Sequence, residues 1–232
     1  LNGVQVDNNK AAFEWGRRCA HDLAQVQSMF AARQVIEFVK KPSLDEMLAK
    51  RVEFLTGYQD AAYAAQYKTY IDKVRAAEAP LASTRLSEAV ARYLFKLMAY
   101  KDEYEVARLH TDPAFVAQLD AMFKHGYTVK YNLAPPTISK RDPVTGHLIK
   151  QQFGPWMRSA FGWLKKFKGL RGGGLDFFGK TEERRHERQM IEDYVRELDG
   201  ICAALSSANH AAAVALASVP DEIRGYGHVK EK

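Results

Sequence analysis

Side chains that could make or break bonds are sparse in this chain and lie far apart. The seven histidines, His21, His110, His125, His147, His186, His210 and His228, are scattered singly along it. A protein metal site needs ligands at close spacing, such as two histidines one helical turn apart with a glutamate between them. His186-Glu187 begins that pattern, but Met190 stands where the second histidine belongs, so the stretch reads as a solvated helix face. Cys19 and Cys202 stand alone and form no CxxC pair, and an iron–sulfur cluster needs several thiolates. There is no GxSxG elbow, and neither cysteine has a histidine partner in sequence. No residue is therefore assigned a catalytic or metal-binding role.

The one suggestive constellation is basic. Gly169 and the run Gly172-Gly173-Gly174 are flanked by Lys168 and Arg171. The run lacks the GxxxxGK[ST] order and follows a helix, so it is not a P-loop; glycine after a helix C-terminus is ordinary. Its backbone N–H groups, with Lys165, Lys166, Lys168 and Arg171, could still hold a phosphate-rich ligand such as coenzyme A, or an acidic protein. Against that, lysines near a helix C-terminus are already favoured by the helix dipole. The net charge of +6 is concentrated here: residues 124–180 carry 11 basic groups against Asp142 and Asp176, whereas residues 1–116 are nearly balanced. Such a field steers anions and acidic partners. A helix over 155–168 places Trp156, Met157, Ala160, Trp163, Leu164 and Phe167 on one side and Arg158, Lys165, Lys166 and Lys168 on the other. That stripe is expected to face a core and not a membrane surface. A pI near 9.2 with nearby aromatics invites a nucleic-acid reading. No helix-turn-helix, zinc finger or RNP-like run supports it, so nucleic-acid binding is not expected.

The elements that must carry these residues are mainly helical. Pro42-Ser43-Leu44-Asp45-Glu46 is a capping box, in which serine and glutamate each satisfy a backbone N–H at a helix start. The apolar spacing after it predicts one helix to about Ala77, over thirty residues and roughly 50 Å long, with Gly57 as its weak point. Further helices are predicted from Asn9, from Asp22, over 85–98, over 104–109, from Asp112-Pro113 (burying Phe115, Leu119 and Phe123), after Thr181-Glu182-Glu183, and from Asn209. The turn at 100–102 is expected to be loosely packed, and Val35–Val39 fits strand or helix. Alternation over 127–133, and more weakly over 147–151, predicts a small β-hairpin or extended arm. The expected fold is a mainly α, bundle-like domain with two long helices. One domain spans 1–232: a lead-in segment at 1–41, a helical half at 42–125, the hairpin or arm at 126–154, and a second helical half at 155–232.

Composition fits a globular protein with a core: 47% of residues are hydrophobic and 27% charged. No run is long and apolar enough to span a bilayer, and no secretory h-region opens the chain. Two isolated cysteines suit a reducing, cytoplasmic setting. The opening Leu1-Asn2-Gly3-Val4 reads as a continuation, so the chain is expected to be a segment of a longer protein.

Word-like stretches carry a resemblance. They include 91–109 (ARYLFKLMAYKDEYEVARL), Leu133-Ala134-Pro135-Pro136, Arg141-Asp142-Pro143 and Phe153-Gly154-Pro155-Trp156-Met157. Lys168-Gly169-Leu170-Arg171-Gly172 then leads to Phe178-Gly179-Lys180-Thr181-Glu182-Glu183-Arg184, with Asn209-His210, 213–218 and 222–231 closing the set. Together they resemble, in order, the C-terminal region of the long-chain bacterial indolepyruvate:ferredoxin oxidoreductases. The opening 1–17 is similar to the exit from that family's gamma-type domain. The resemblance implies a parent enzyme, expected as a homodimer, that oxidatively decarboxylates an aryl 2-oxoacid to an acyl-CoA and reduces ferredoxin. It implies thiamine diphosphate, Mg²⁺, iron–sulfur clusters and coenzyme A in that parent. The family's GDG-type thiamine motif and cluster cysteines have no counterpart here, so the segment is expected to be a non-catalytic accessory domain contacting the catalytic domains and possible ferredoxin. The alternative is a basic binding module for an acidic protein partner, coenzyme A phosphates or, ranked last, nucleic acid.

Overall fold

The structure, a computed structural model, describes residues 6–31, 42–134, 139–140 and 149–223. The chain divides into two compact units, Leu1–Lys41 and Pro42–Lys232. Val35–Val39, Pro135-Pro136, Arg141–Gly146 and the closing stretch from Arg224 lie outside the described residues.

In the first unit, α1 (Val6–His21) and α2 (Leu23–Ala31) meet at Asp22. Its carboxylate accepts from the Gln25 N–H at 2.8 Å, a side-chain cap that starts the second helix. The first helix begins earlier than its sequence signal, so Asn9 lies inside its first turn.

The second unit opens with the capping box. Ser43 Oγ accepts from the Glu46 N–H, and Glu46 Oε2 accepts from the Ser43 N–H. The single long helix expected from here is two helices, α3 (Leu44–Tyr58) and α4 (Ala61–Glu78). Asp60 sits in extended backbone and accepts from the Tyr63 N–H at 2.8 Å, so it caps a new helix instead of continuing the old one. The chain continues through α5 (Arg85–Met98), α6 (Glu103–His110), α7 (Pro113–Met122), α8 (Met157–Leu164), α9 (Glu182–Ala204) and α10 (His210–Ala217). The other expected long helix is α9, whose 23 residues start at the Thr181 cap. Asn209 holds the turn before α10 in a different way from a cap: its amide bridges Ala204 O and the Ser206 N–H. Strands β1 (Tyr131–Leu133) and β2 (Gln151–Phe153) pair antiparallel, Tyr131 opposite Phe153. The molecule is thus mainly helical, with ten helices and one small hairpin among the described residues.

The main core lies among α3, α4, α5, α9 and α10. Leu55, Tyr67, Ile71, Leu86, Val90 and Leu94 are fully buried, each aliphatic one contributing roughly 1.5–3 kcal/mol. Tyrosines add a polar device. Tyr58 and Tyr63 donate to Tyr100 O and Met98 O just at and beyond the end of α5, and Tyr194 donates to Ala217 O at the end of α10. Carbonyls at helix ends lack intrahelical partners, so a buried phenol both fills space and closes a helix. Tyr67 donates to Ala91 O within α5.

Glu78, wholly buried, does the same at an N-terminus. Thr84 makes no side-chain cap for α5; instead Glu78, across the connecting turn, accepts from Leu86 N, Ser87 N and Ser87 Oγ at 2.7–2.8 Å. His210 Nε2 lies 2.8 Å from its other side. Burial opposes its ionisation, but the bonds from Ser87, His210 and Leu86 prevail and pull its pKa down to about 2.

A second, smaller core joins α6, α8 and the hairpin through Ala107, Tyr131, Met157 and Phe161. Here α7 departs from expectation. Asp112 caps it as the sequence indicates, yet it buries no residue. Phe115 and Phe123 are 37% and 48% exposed, and they wall an open groove of about 520 Å³ against residues 127–133.

Candidate functional site

The basic segment is built from α8 onward. The helix predicted over 155–168 ends at Leu164, and the chain tightens into 3₁₀ turns over Lys165–Leu170. Two of the four candidate cations then turn toward the protein. Lys168 Nζ donates to Thr56 O and Gly57 O at 3.2 and 2.6 Å. Arg171 Nη1 donates to Tyr58 O at 2.6 Å, and its Nε and Nη2 grip the Asp102 carboxylate at 2.5 and 2.9 Å. The guanidinium also lies over the Tyr58 ring, 3.7 Å from its centre. Three successive carbonyls at the end of α3 thus meet two cations, satisfying orphan acceptors and opposing the helix dipole. These contacts accompany the break between α3 and α4.

Asp102 serves both sides: besides binding Arg171, it caps α6 by accepting from the Glu105 N–H. The turn expected to be loosely packed at 100–102 is therefore tight, with Tyr100 and Asp102 only 5% and 3% exposed. Lys168 is pushed below the usual lysine pKa, first by burial and then by the charges of Arg108 and Arg171. Lys165 and Lys166 differ. Lys165 is half-buried, and Lys166 is exposed with its ammonium 5.8 Å from the Trp163 ring centre. The four side chains therefore do not converge on one anion.

The glycine run is organised by another buried acid. Asp176 accepts from Gly172 N, Gly179 N and the Tyr104 hydroxyl. Gly172 needs its freedom at φ +75°, and a Cβ on Gly179 would lie 2.1 Å from Asp176 Oδ2. Two backbone N–H groups that could have cradled a phosphate are thus already used by this chain's own carboxylate.

What the segment presents outward is aromatic. Trp156, Trp163, Leu175 and Phe177 are 61–79% exposed, and Phe167 stacks beside Trp163 with ring centres 6.2 Å apart. The stripe expected to be buried is really two: Met157, Phe161 and Leu164 pack inward, while Trp156, Trp163 and Phe167, one step round, stay outside. His110 is a packing residue, stacked on Phe161 at 5.5 Å and edge-on to Tyr131. Burial, and then the Lys101 charge, keep its pKa low. Among the described residues no three His, Cys, Asp or Glu side chains are grouped to hold a metal, and no helix is long and apolar enough to cross a membrane.

Sequence reasoning missed Glu78, Asp102 and Asp176, the acids that organise the molecule. Asp102 alone carried a local signal, as a cap residue before Glu103.

Residues 44–232, which hold both cores and the basic segment, match a family described as a family of unknown function, DUF6537. The chain belongs to this family. The DUF6537 match opens at Leu44, the first residue of α3, and the first unit lies before it. No curated protein and no solved structure matches the chain.

Proposed function

We propose that this chain is a non-catalytic accessory domain of a 2-oxoacid:ferredoxin oxidoreductase of the indolepyruvate type, and that it docks on the catalytic domains through the aromatic face of α8 and the loop after it. The observation that carries the reading is the outward placement of Trp163, 68% exposed, with Phe167 stacked beside it, and the exposure of Trp156, Leu175 and Phe177 in the same segment of the chain. A domain with a well-filled core of its own has no internal reason to leave so many large apolar side chains in water, and exposed apolar clusters of this kind mark interaction sites. The word-like stretches, in the order of that enzyme family's C-terminal region, add the identity of the partner. The parent oxidatively decarboxylates an aryl 2-oxoacid to its acyl-CoA in the cytoplasm. Thiamine diphosphate, Mg²⁺, iron–sulfur clusters and coenzyme A belong to its catalytic domains, and no residue of this chain is assigned to them.

The test is the double variant Trp163→Ser/Phe177→Ser in the full enzyme. Loss of dimer or of specific activity is expected, while the isolated chain keeps its melting temperature. A fully active, normally assembled variant enzyme would reject the docking role.

A second reading keeps the electrostatic idea with fewer residues. Lys165 and Lys166 border the aromatic face, so an acidic protein such as ferredoxin could approach there, in a salt-dependent way. Lys165→Gln/Lys166→Gln should then raise the KM for ferredoxin at low salt and leave kcat unchanged; an unchanged KM removes this reading.

A further inference from the structure

The four cations singled out in the sequence do not converge, but three others do. Where the glycine run meets the first two turns of α9, a bowl of about 280 Å³ opens to solvent, and Gly172, Gly173, Asp176, Lys180, Arg185 and Arg188 stand in its wall. Three of these side chains are cations and one is an acid.

The acid is already engaged. Asp176 is 3% exposed and accepts from Gly172 N, Gly179 N and the Tyr104 hydroxyl at 2.7–3.1 Å. The cations are not. Lys180 and Arg185 are exposed, and among the described residues neither side chain makes a hydrogen bond or an ion pair. Arg188 is half-buried. Its Nη2 donates to Gly179 O at 2.7 Å, which fixes the guanidinium in the wall. Among the described residues no carboxylate stands within ion-pair distance of it, whereas Arg171 and Arg184 each meet one. A carbonyl satisfies an N–H but does not neutralise a charge, and a partly buried cation without a counter-ion is costly to keep. Gly172 and Gly173 bring only backbone to the wall, so no side chain of theirs fills the hollow.

We propose that this bowl binds a phosphomonoester group, held by Lys180 and Arg185 in the field of the fixed Arg188 charge. Three cations against one carboxylate leave two positive charges in excess. A phosphomonoester, close to a dianion at neutral pH, balances that excess, and a carboxylate balances half of it. The forked donors of Arg185 also match the spacing of phosphate oxygens. Side chains and not the backbone make the site, because Gly172 N is spent on Asp176 and Gly173 N on Leu170 O. The exposed tryptophans of the docking face do not line the bowl, so the inference stands apart from that role.

A soluble phosphomonoester and a lipid headgroup present the same chemistry, and the experiment separates them. Glycerol 3-phosphate and acetate are titrated against the 232-residue chain at constant ionic strength near neutral pH, with the amide signals of Gly172, Gly173 and Gly179 followed by NMR. Sedimentation with phosphatidylcholine vesicles, with and without phosphatidic acid, is the second arm. Glycerol 3-phosphate should shift those amides and bind about tenfold tighter than acetate, the worth of one charge-assisted hydrogen bond. Lys180→Gln/Arg185→Gln, two exposed positions whose change leaves the fold intact, should weaken it by about tenfold or more. Lys165→Gln/Lys166→Gln should bind as the unaltered chain does. Binding to phosphatidic acid vesicles alone, lost in Lys180→Gln/Arg185→Gln, would assign the group to a lipid surface. Binding of neither probe, equal affinity for acetate, or undiminished binding in Lys180→Gln/Arg185→Gln would overturn the inference.

Discussion

The two cores of the larger unit are held by different physics. Among α3, α4, α5, α9 and α10, wholly buried aliphatic and tyrosyl side chains do most of the work, and polar groups appear where a helix end needs closing, as Tyr58, Tyr194 and Glu78 show. In the region from Asp102 to the first two turns of α9, few apolar residues are buried and the chain is tied down by charge: Arg171 on Asp102, Arg108 bidentate on Glu105, Arg184 on Glu187, and Asp176 on two backbone N–H groups. A fold fixed by polar ties leaves its apolar side chains free to face outward. The first region is therefore the scaffold, and the second presents the exposed apolar side chains on which the proposed docking rests.

The sharpest way to break that division is Arg171→Met. It strands the buried Asp102 carboxylate and leaves the Tyr58 carbonyl at the end of α3 without its donor, so a loss of about 3–5 kcal/mol is expected in urea unfolding. Hydrogen exchange in this variant should speed up first in α6 and residues 165–180 and last in α4 and α5.

Glu78→Gln probes the scaffold's own buried charge and has a pH signature. The folded-state pKa is depressed from 4.5 to about 2, so the carboxylate stabilises the fold fully above about pH 4.5 and loses that contribution as pH falls toward 2. Stability should drop by on the order of 2 kcal/mol across that window in the parent chain. The variant, less stable at pH 7, should show a flatter acid limb in thermal melts.

Tyr67→Phe is expected to cost about 1 kcal/mol, one buried hydrogen bond, without altering the pH profile. Smallest of all is Lys166→Gln, whose melting temperature should barely move because exposed substitutions change stability by less than about 0.5 kcal/mol.

The contrast between the regions also explains what the sequence made legible. Ser43-Glu46, Asp112-Pro113 and Thr181-Glu182-Glu183 announce helix starts because capping is chemistry within four residues. The mainly helical class and the hairpin follow from period alone. The break at Gln59–Asp60 was hidden because the partners of the α3 carbonyls, Lys168 and Arg171, lie over a hundred residues away. The basic cluster misled for the same reason: Arg171 meets Asp102 across 69 residues, and no local spacing reveals that its charge is consumed. Which of two apolar stripes on α8 turns inward is likewise decided by distant partners, α6 above all, with Tyr131 of the hairpin.

The outward aromatic face is most directly tested by hydrogen–deuterium exchange and tryptophan fluorescence on the same chain, alone and joined to the catalytic domains of the proposed parent enzyme. Burial of Trp156 and Trp163, seen as blue-shifted, quencher-resistant emission, with slowed exchange over residues 156–178 only in the joined form, is the result expected. Identical emission and exchange in both forms would contradict a docking role for this region.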